Sequence, residues 1–484
     1  MRAGDVVILS QACPTLPARR LVTSRRKKVQ RDRSQSAAPS TELRATEDSG
    51  GAAVESPFVP QNQAWKIVAI SVAIFVVAHL ALMIGLTTPD KINFDEVHYV
   101  PAAKQLLEPG VPNPLLNPMH PPLAKQFMAL SIRAFGDNSL GWRYPSVVFG
   151  ALAIVAMYLC GLALFAAQGP ALATALLTFL NQMVFVQSRI AMLDIYTLAF
   201  DLLGVAAFIH GIRKQKPEIA FALAGLAFGL ATACKWSGLF PLGVCIAIVA
   251  VIRLMQGWRT SFADANADDW YQPDRWPEFR YYHFAVCLVL VPALAYYVTY
   301  IPLYGLSIGD FIEAQRRIFV ENSGSHPPHP YMSSWPSWPL LMRPIWFQFD
   351  KLADDRFQAI VFLGNPLILW PALVALGICL RDWIVRRRAD AFLILAFYLG
   401  PWLAWAALPR TIGFIYYYLP SATIATLALV YAFTQGERAP PRWMLWTFVA
   451  AASFGFVAML PISVASLGTS METYRRLMIF QSWI

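Results

Sequence analysis

Apolar residues in this chain come in long blocks separated by short polar stretches, a pattern produced by neither strand alternation nor one-faced helices. Windows of about 20 apolar residues, the length that crosses a bilayer, fall near 65–86, 144–165, 170–187, 195–212, 218–234, 237–255, 284–304, 358–380, 391–408, 412–433 and 443–463. The pattern predicts an all-α polytopic membrane protein with about eleven transmembrane helices. Two stretches between blocks are too long for simple connections: 87–143, and 305–357, which is dense in Trp, Pro and His. Loops of this length usually carry function, and their Trp and Tyr predict amphipathic helices lying in the membrane interface.

Composition agrees with the blocks: 57% hydrophobic and 14% charged residues exclude an ordinary soluble domain. Little sequence is left for a separate domain. Residues 61–465 therefore read as one membrane domain, with a tail at 1–60 and a short external segment at 466–484. Within the tail, Arg19 to Arg33 hold eight basic residues and one acid. No apolar core follows until Trp65, so the tail reads as disordered rather than as a secretory signal.

A net charge of +10 raises the question of nucleic acid, but the basic residues sit in short clusters between blocks, not along one polar face. In the short loops beyond the tail these clusters are Arg213, Lys214 and Lys216; Arg253 and Arg259; Arg381 with Arg386, Arg387 and Arg388; and Arg438 with Arg442. All fall on one side of the predicted topology, which the positive-inside rule makes cytoplasmic together with the N-terminus. Membrane lipids, not nucleic acid, are the expected partners of these charges. The loop 256–283 is then cytoplasmic, either regulatory or merely connecting, and both long loops and the C-terminus lie outside. The six cysteines lack metal-type spacing, and the histidine pair His326 and His329 has no third ligand, so no metal site is expected.

Ionisable residues are expensive in hydrocarbon, so their clustering at helix ends on one face signals a purpose. The external face receives Asp95, Glu96, His120, Lys125, Arg143, Arg189, Asp194, Lys235, Arg343 and Arg410. Such a mixture of carboxylates and cations suits one reaction. A carboxylate deprotonates an incoming hydroxyl while cations stabilise a departing phosphate, which is glycosyl transfer from a lipid phosphate. No cofactor is required; a divalent cation is compatible with this chemistry, but nothing in the sequence asks for one.

Several local words carry a resemblance. Asn93-Phe94-Asp95-Glu96-Val97-His98-Tyr99, His120-Pro121-Pro122-Leu123-Ala124-Lys125 and Gly141-Trp142-Arg143-Tyr144-Pro145-Ser146 occur in order in the first loop. Gln187-Ser188-Arg189 with Leu193-Asp194, Cys234-Lys235-Trp236-Ser237-Gly238-Leu239, His329-Pro330-Tyr331, Trp338-Pro339, Arg343-Pro344 and Tyr416-Tyr417-Tyr418-Leu419-Pro420 follow. Over roughly 65–435 the chain resembles the protein O-mannosyltransferases. The resemblance implies the GT-C glycosyltransferase fold, a polyprenyl phosphate mannose donor, and Ser or Thr hydroxyls of exported proteins as acceptors, taken as they leave the secretion machinery. With no room for the inserted MIR domain of eukaryotic members, the chain is similar to the bacterial form, which implies a bacterial plasma membrane. It departs from many bacterial relatives in carrying Tyr417 where they are expected to have His.

The residue roles expected on this reading are specific. Asp95 is the general base, with Glu96 orienting substrate; an acid pair that merely caps a helix is the bland alternative. His120 and Lys125 line the donor phosphate pocket, Arg143 supports the site, and Arg189 and Asp194 form a supporting ion pair. Lys235 binds phosphate with Arg343 or Arg410, and Tyr418 belongs to the donor end. Two other functions remain open at this stage. One is sugar transfer to a lipid or polysaccharide, as in the aminoarabinose transferases. The other is transport, since charges in a bundle also line substrate paths.

Overall fold

The computed structural model describes residues 64–110, 115–214, 217–262, 281–324, 327–408 and 412–483. The basic tail 1–60, most of the 256–283 loop, His326 and Arg410 lie outside the described residues. The first half of the chain runs through α1 (Ala64–Met83), α2 (Glu96–Gln105), α3 (Leu123–Phe135), α4 (Ser139–Phe165), α5 (Gln168–Phe179), α6 (Gln182–Gln187), α7 (Asp194–Gly211), α8 (Glu218–Cys234) and α9 (Leu239–Phe262). The second half contains α10 (Tyr281–Ala285), a π turn (Val286–Leu290), α11 (Val291–Val298), α12 (Ile301–Tyr304), α13 (Ile308–Ser323), β1 (Ile345–Lys351) and β2 (Phe357–Phe362). It ends with α14 (Pro366–Arg386), α15 (Ala389–Ala407), α16 (Leu419–Thr434), α17 (Arg442–Ser463) and α18 (Met471–Leu477).

Among the described residues, nine helical segments are long and apolar enough to cross a membrane. Two further apolar blocks of the sequence form helices short of that length. One is α8, a shorter apolar helix. The other is the block at 170–187, which is α5 and α6 rather than one span. The Asn181 side chain accepts the Met183 N–H and starts a new helix there, as a capping amide does.

The expected span at 358–380 is corrected. Residues 357–362 form β2, antiparallel to β1, and the helix starts only at Pro366. Asn365 accepts the Leu367 N–H, and Pro366 sits where a missing N–H costs nothing, so this pair marks a helix start inside a mostly apolar run. The block at 284–304 is likewise interrupted. Pro292 cannot donate in the helix ladder, and a wide π turn precedes it; the helix then ends at Val298, before α12.

Burial separates the inner helices from the outer ones. The α16 segment is 89% buried over its apolar window and α1 only 11%, so α16 is a central helix. The exposed Val68, Val72 and Val77 of α1 present the surface that lipid requires. Small residues let helices approach: a Cβ added at Gly225 would lie 1.9 Å from the Cys287 carbonyl oxygen, which holds α8 against the π turn.

Basic residues from separate loops gather at one end of the bundle. There Arg213 donates to the Leu164 carbonyl, Arg381 pairs with Glu437, and Arg388 pairs with Asp390. The opposite end carries Asp95, the hairpin and the C-terminal segment. That segment is sewn down: Trp346 donates to the Trp483 carbonyl, Trp483 to that of Leu341, and the Tyr474 hydroxyl to that of Phe357.

Candidate active site

Adjacent residues Asp95 and Glu96 have different fates, and a backbone turn separates them. Phe94 has φ +46°, a left-handed conformation that non-glycine residues rarely adopt. Its ring packs on Phe347 and meets the edge of His329. The chain then enters α2, with Glu96 turned inward and fully buried. Its Oε1 accepts from Arg143 Nε at 2.8 Å and from the Ala191 N–H at 2.9 Å, while Oε2 accepts from Arg143 Nη2 and the Asn93 N–H, both at 2.9 Å. Arg143 spends its remaining donors on the Leu86, Pro89 and Lys91 carbonyls. This pair ties the first loop, α4 and the turn before α7 together. Its polar capacity is used up within the protein.

Asp95 occupies the N-cap position of α2, yet its side chain makes no capping bond. The carboxylate is therefore not spent on the helix. Burial pushes it up to about 6, against the pull of Lys235 and His98 and with a further push from Asp194. An acid held there is ionised at neutral pH and still close enough to neutrality to take a proton.

Asp194 and Lys235 form the second buried pair. Lys235 Nζ donates to Asp194 Oδ1 at 2.8 Å, from the connection between α8 and α9 to the first residue of α7. The ammonium also lies over two rings, 5.1 Å from Tyr416 and 5.2 Å from Tyr417. These tyrosines belong to a 3₁₀ turn, Ile415–Tyr418, where three residues make a full turn and successive side chains fan apart. Tyr416 and Tyr417 line a cavity with Asp194, Ser237, Phe240 and Trp405. Tyr418 points elsewhere, its hydroxyl 2.9 Å from that of Tyr398.

A second cavity lies between the first loop and α13. His120, Lys125, Tyr300, Tyr304 and Arg317 line it together with apolar residues such as Leu106 and Leu303, and no acid is among them. Lys125 is buried, donates to the Asn117 and His120 carbonyls, and is lowered to about 7 by that burial. The residues at 102 and 106 place α2 on this wall, so the helix that begins at Asp95 reaches both regions.

The structure redistributes several expected roles. Arg189 does not pair with Asp194. It donates to the Leu82 carbonyl at the end of α1 and lies over Phe185, because the tight turn at Ile190 to Met192 points the two side chains to different neighbours. Arg343 is exposed and donates to the Pro330 carbonyl, which makes it a brace within the second loop. Tyr416, Tyr417, Ser237, Trp405 and Arg317 are cavity residues to which sequence reasoning gave no site role. The signal for the first three lay in words already singled out, Tyr416-Tyr417-Tyr418 and Lys235-Trp236-Ser237. Nothing local marks Trp405 or Arg317.

Comparison with known proteins supplies the lineage of this arrangement. The dolichyl-phosphate-mannose-protein mannosyltransferase family matches residues 134–302, and the C-terminal four-transmembrane region of protein O-mannosyltransferase matches 307–483. A polyprenol-phosphate-mannose–protein mannosyltransferase of Mycolicibacterium smegmatis is 26% identical over 87% of this chain and 93% of its own. One from Corynebacterium glutamicum is 25% identical with the same coverage. In fold, the chain is similar to the S. cerevisiae protein O-mannosyltransferase complex bound to the sugar donor, with TM-score 0.70 and 14% identity over 87% of this chain and 93% of that one. ArnT from Cupriavidus metallidurans bound to undecaprenyl phosphate follows, with TM-score 0.53 and 15% identity over 84% and 72%. Together with the first-loop and middle-chain words, these matches make the chain a member of the protein O-mannosyltransferase family, a membrane glycosyltransferase of the GT-C fold.

Proposed function

We propose that this protein transfers mannose, with inversion, from polyprenyl phosphate mannose to Ser or Thr hydroxyls of exported proteins. The reaction takes place on the external face of a bacterial plasma membrane, the N-terminus being cytoplasmic. One observation carries the assignment of the base. Asp95 is the carboxylate of the adjacent pair whose side chain makes no capping bond, whereas Glu96 is held by four hydrogen bonds, and Lys235 and Asp194 lie close enough to act on the charge of Asp95. The acceptor hydroxyl gives its proton to Asp95, and its oxygen bonds to the anomeric carbon. The bond from that carbon to the phosphate oxygen breaks, and its electron pair leaves with polyprenyl phosphate. Lys235 acts on the charge of Asp95, and the separate cavity of His120, Lys125 and Arg317 supplies further donors for that product. Cations of this kind meet the need a metal would otherwise fill, so a chelator leaves the rate unchanged. Delivery of acceptors by the secretion machinery suits a site at the membrane surface.

The test supplies purified protein with polyprenyl phosphate mannose labelled in the sugar and a Ser/Thr-rich peptide. Label enters the peptide with wild-type protein and falls sharply with Asp95→Asn. Label appearing only in lipid would instead establish the ArnT-like alternative, and an undiminished Asp95→Asn rate would remove the base assignment.

A further inference from the structure

Phe94 and Leu341 both sit at positive φ, +46° and +56°, a region that is costly for residues with a side chain. Such conformations persist only where the surroundings over-determine them. One of the two immediately precedes Asp95. Restraints on both lead to the same place, the segment that follows α17.

That segment grips the second loop in three ways. Thr469 exchanges two backbone hydrogen bonds with Phe357, each 2.8 Å, and so extends the hairpin by one bridge beside β2. In α18, Tyr474 is buried and donates to the Phe357 carbonyl, and its ring meets those of Trp346 and Phe349 at 6.3 and 5.6 Å between centroids. Trp483 is buried as well. Its indole N–H donates to the Leu341 carbonyl at 2.6 Å, and its own carbonyl accepts from the Trp346 indole at 2.9 Å. One residue therefore pins the left-handed Leu341 and the start of β1.

β1 carries this restraint to Asp95. Trp346 pairs with Val361 and Gln348 with Ile360, so Phe347 is the extra residue of a bulge. A bulge bends its strand and re-aims a side chain. Phe347 is buried, and its ring lies 4.7 Å from that of Phe94 and 5.5 Å from that of Phe362. Lys91 pairs with Asp350 at 2.6 Å, so the first loop meets β1 at two points just before Asp95. The Asp95 carboxylate makes no capping bond that would fix it from its own helix. Its aim is set by the turn at Phe94 and by whatever holds that turn.

We propose that Phe347 and Trp483 are positioning residues for sugar transfer. Trp483 fixes the start of β1, the bulge presents Phe347 to Phe94, and Phe94 in its left-handed turn aims Asp95 at the acceptor hydroxyl. The brace acts through Asp95 and so rests on the reading of that residue as the base.

The experiment measures peptide labelling by the full chain in detergent, with polyprenyl phosphate mannose and a Ser/Thr-rich peptide each varied to saturation. Phe347→Leu keeps an apolar side chain but loses the ring contact; it is expected to lower kcat by about tenfold while both KM values stay within about twofold. Trp483→Phe keeps a ring and loses the N–H, and is expected to lower kcat in the same way by roughly threefold. Added to Asp95→Asn, either substitution is expected to change the residual rate by less than about twofold, because both act through the missing carboxylate. A residual rate that falls by the same factor as in the wild-type background, or a raised KM with kcat intact, overturns the brace. Should Phe347→Leu not fold, as judged by thermal unfolding, the milder Trp483→Phe decides. The two readings fail differently. A wild-type rate in Asp95→Asn alone removes the base and the brace with it, whereas a lowered rate with multiplying double variants removes the brace alone.

Discussion

Two buried carboxylate–cation pairs stand near each other in this protein, and they differ in what they leave unused. Glu96 and Arg143 satisfy each other and their surroundings completely, with four bonds into the carboxylate and three from the guanidinium to carbonyls. Asp194 and Lys235 share a single bond at 2.8 Å; one carboxylate oxygen is left over, and the ammonium lies over two rings. Taking two ions out of water is repaid only when the remaining donors and acceptors find partners. The first pair achieves that inside the protein and is a clamp. The second does not, and it borders a cavity.

The largest expected effect belongs to the clamp. Arg143→Leu leaves Glu96 charged and buried, which costs about 3–5 kcal/mol, and thermal unfolding in detergent should show a large loss of stability together with loss of transfer. Lys235→Met is expected to lower the transfer rate by about 10²–10³, the range for removing one preorganised charge partner, with a smaller fall in melting temperature than Arg143→Leu. Equal losses of stability in the two variants would abolish the distinction between clamp and working pair.

A smaller effect sharpens the role of Asp95. Because its carboxyl titrates at about 6, transfer should rise about tenfold per pH unit below that value and level off above it. Asp95→Asn should erase this limb as well as the rate. Stability runs the other way. A carboxyl whose folded value lies above its ordinary value of 3.8 binds its proton more tightly when folded, so its contribution is lost as pH rises from about 3.8 through 6. Asp95→Asn is therefore expected to match or exceed the wild type in thermal stability at pH 7, whereas Arg143→Leu falls far below it.

The helices were legible because a bilayer demands about 20 apolar residues whatever the tertiary detail. The exceptions show where that rule stops. The segment from Phe357 through Leu369 is mostly apolar, but Asn365-Pro366 starts a helix in the middle of it, and the residues before pair as a strand. The site was legible by residue type and less so by partnership. Asp95 and Glu96 are chemically alike in the sequence, and only the left-handed turn at Phe94 and the distant Arg143 separate the proposed base from the clamp. Arg189 is nearest to Asp194 along the chain, yet Lys235, 41 positions away, is the partner found in space. Arg410, expected to help hold phosphate, lies outside the described residues.

The smallest expected effect concerns the tyrosine triplet and tests how finely the two kinds of buried group can be told apart. A helix reading of Tyr416-Tyr417-Tyr418 gives no reason to favour one ring over another, and Tyr418 was expected at the donor end. In the 3₁₀ turn the three side chains diverge, and Tyr418 is fully buried with its hydroxyl paired to Tyr398. It resembles Glu96 in having its partner inside the protein. Tyr418→Phe should therefore cost about 0.5–1.5 kcal/mol of stability, the net value of one hydrogen bond, and change the transfer rate by less than about twofold. A loss of transfer comparable to that of Lys235→Met, at unchanged stability, would put the Tyr418 hydroxyl on the donor and move it from the clamp's side of the comparison to the cavity's.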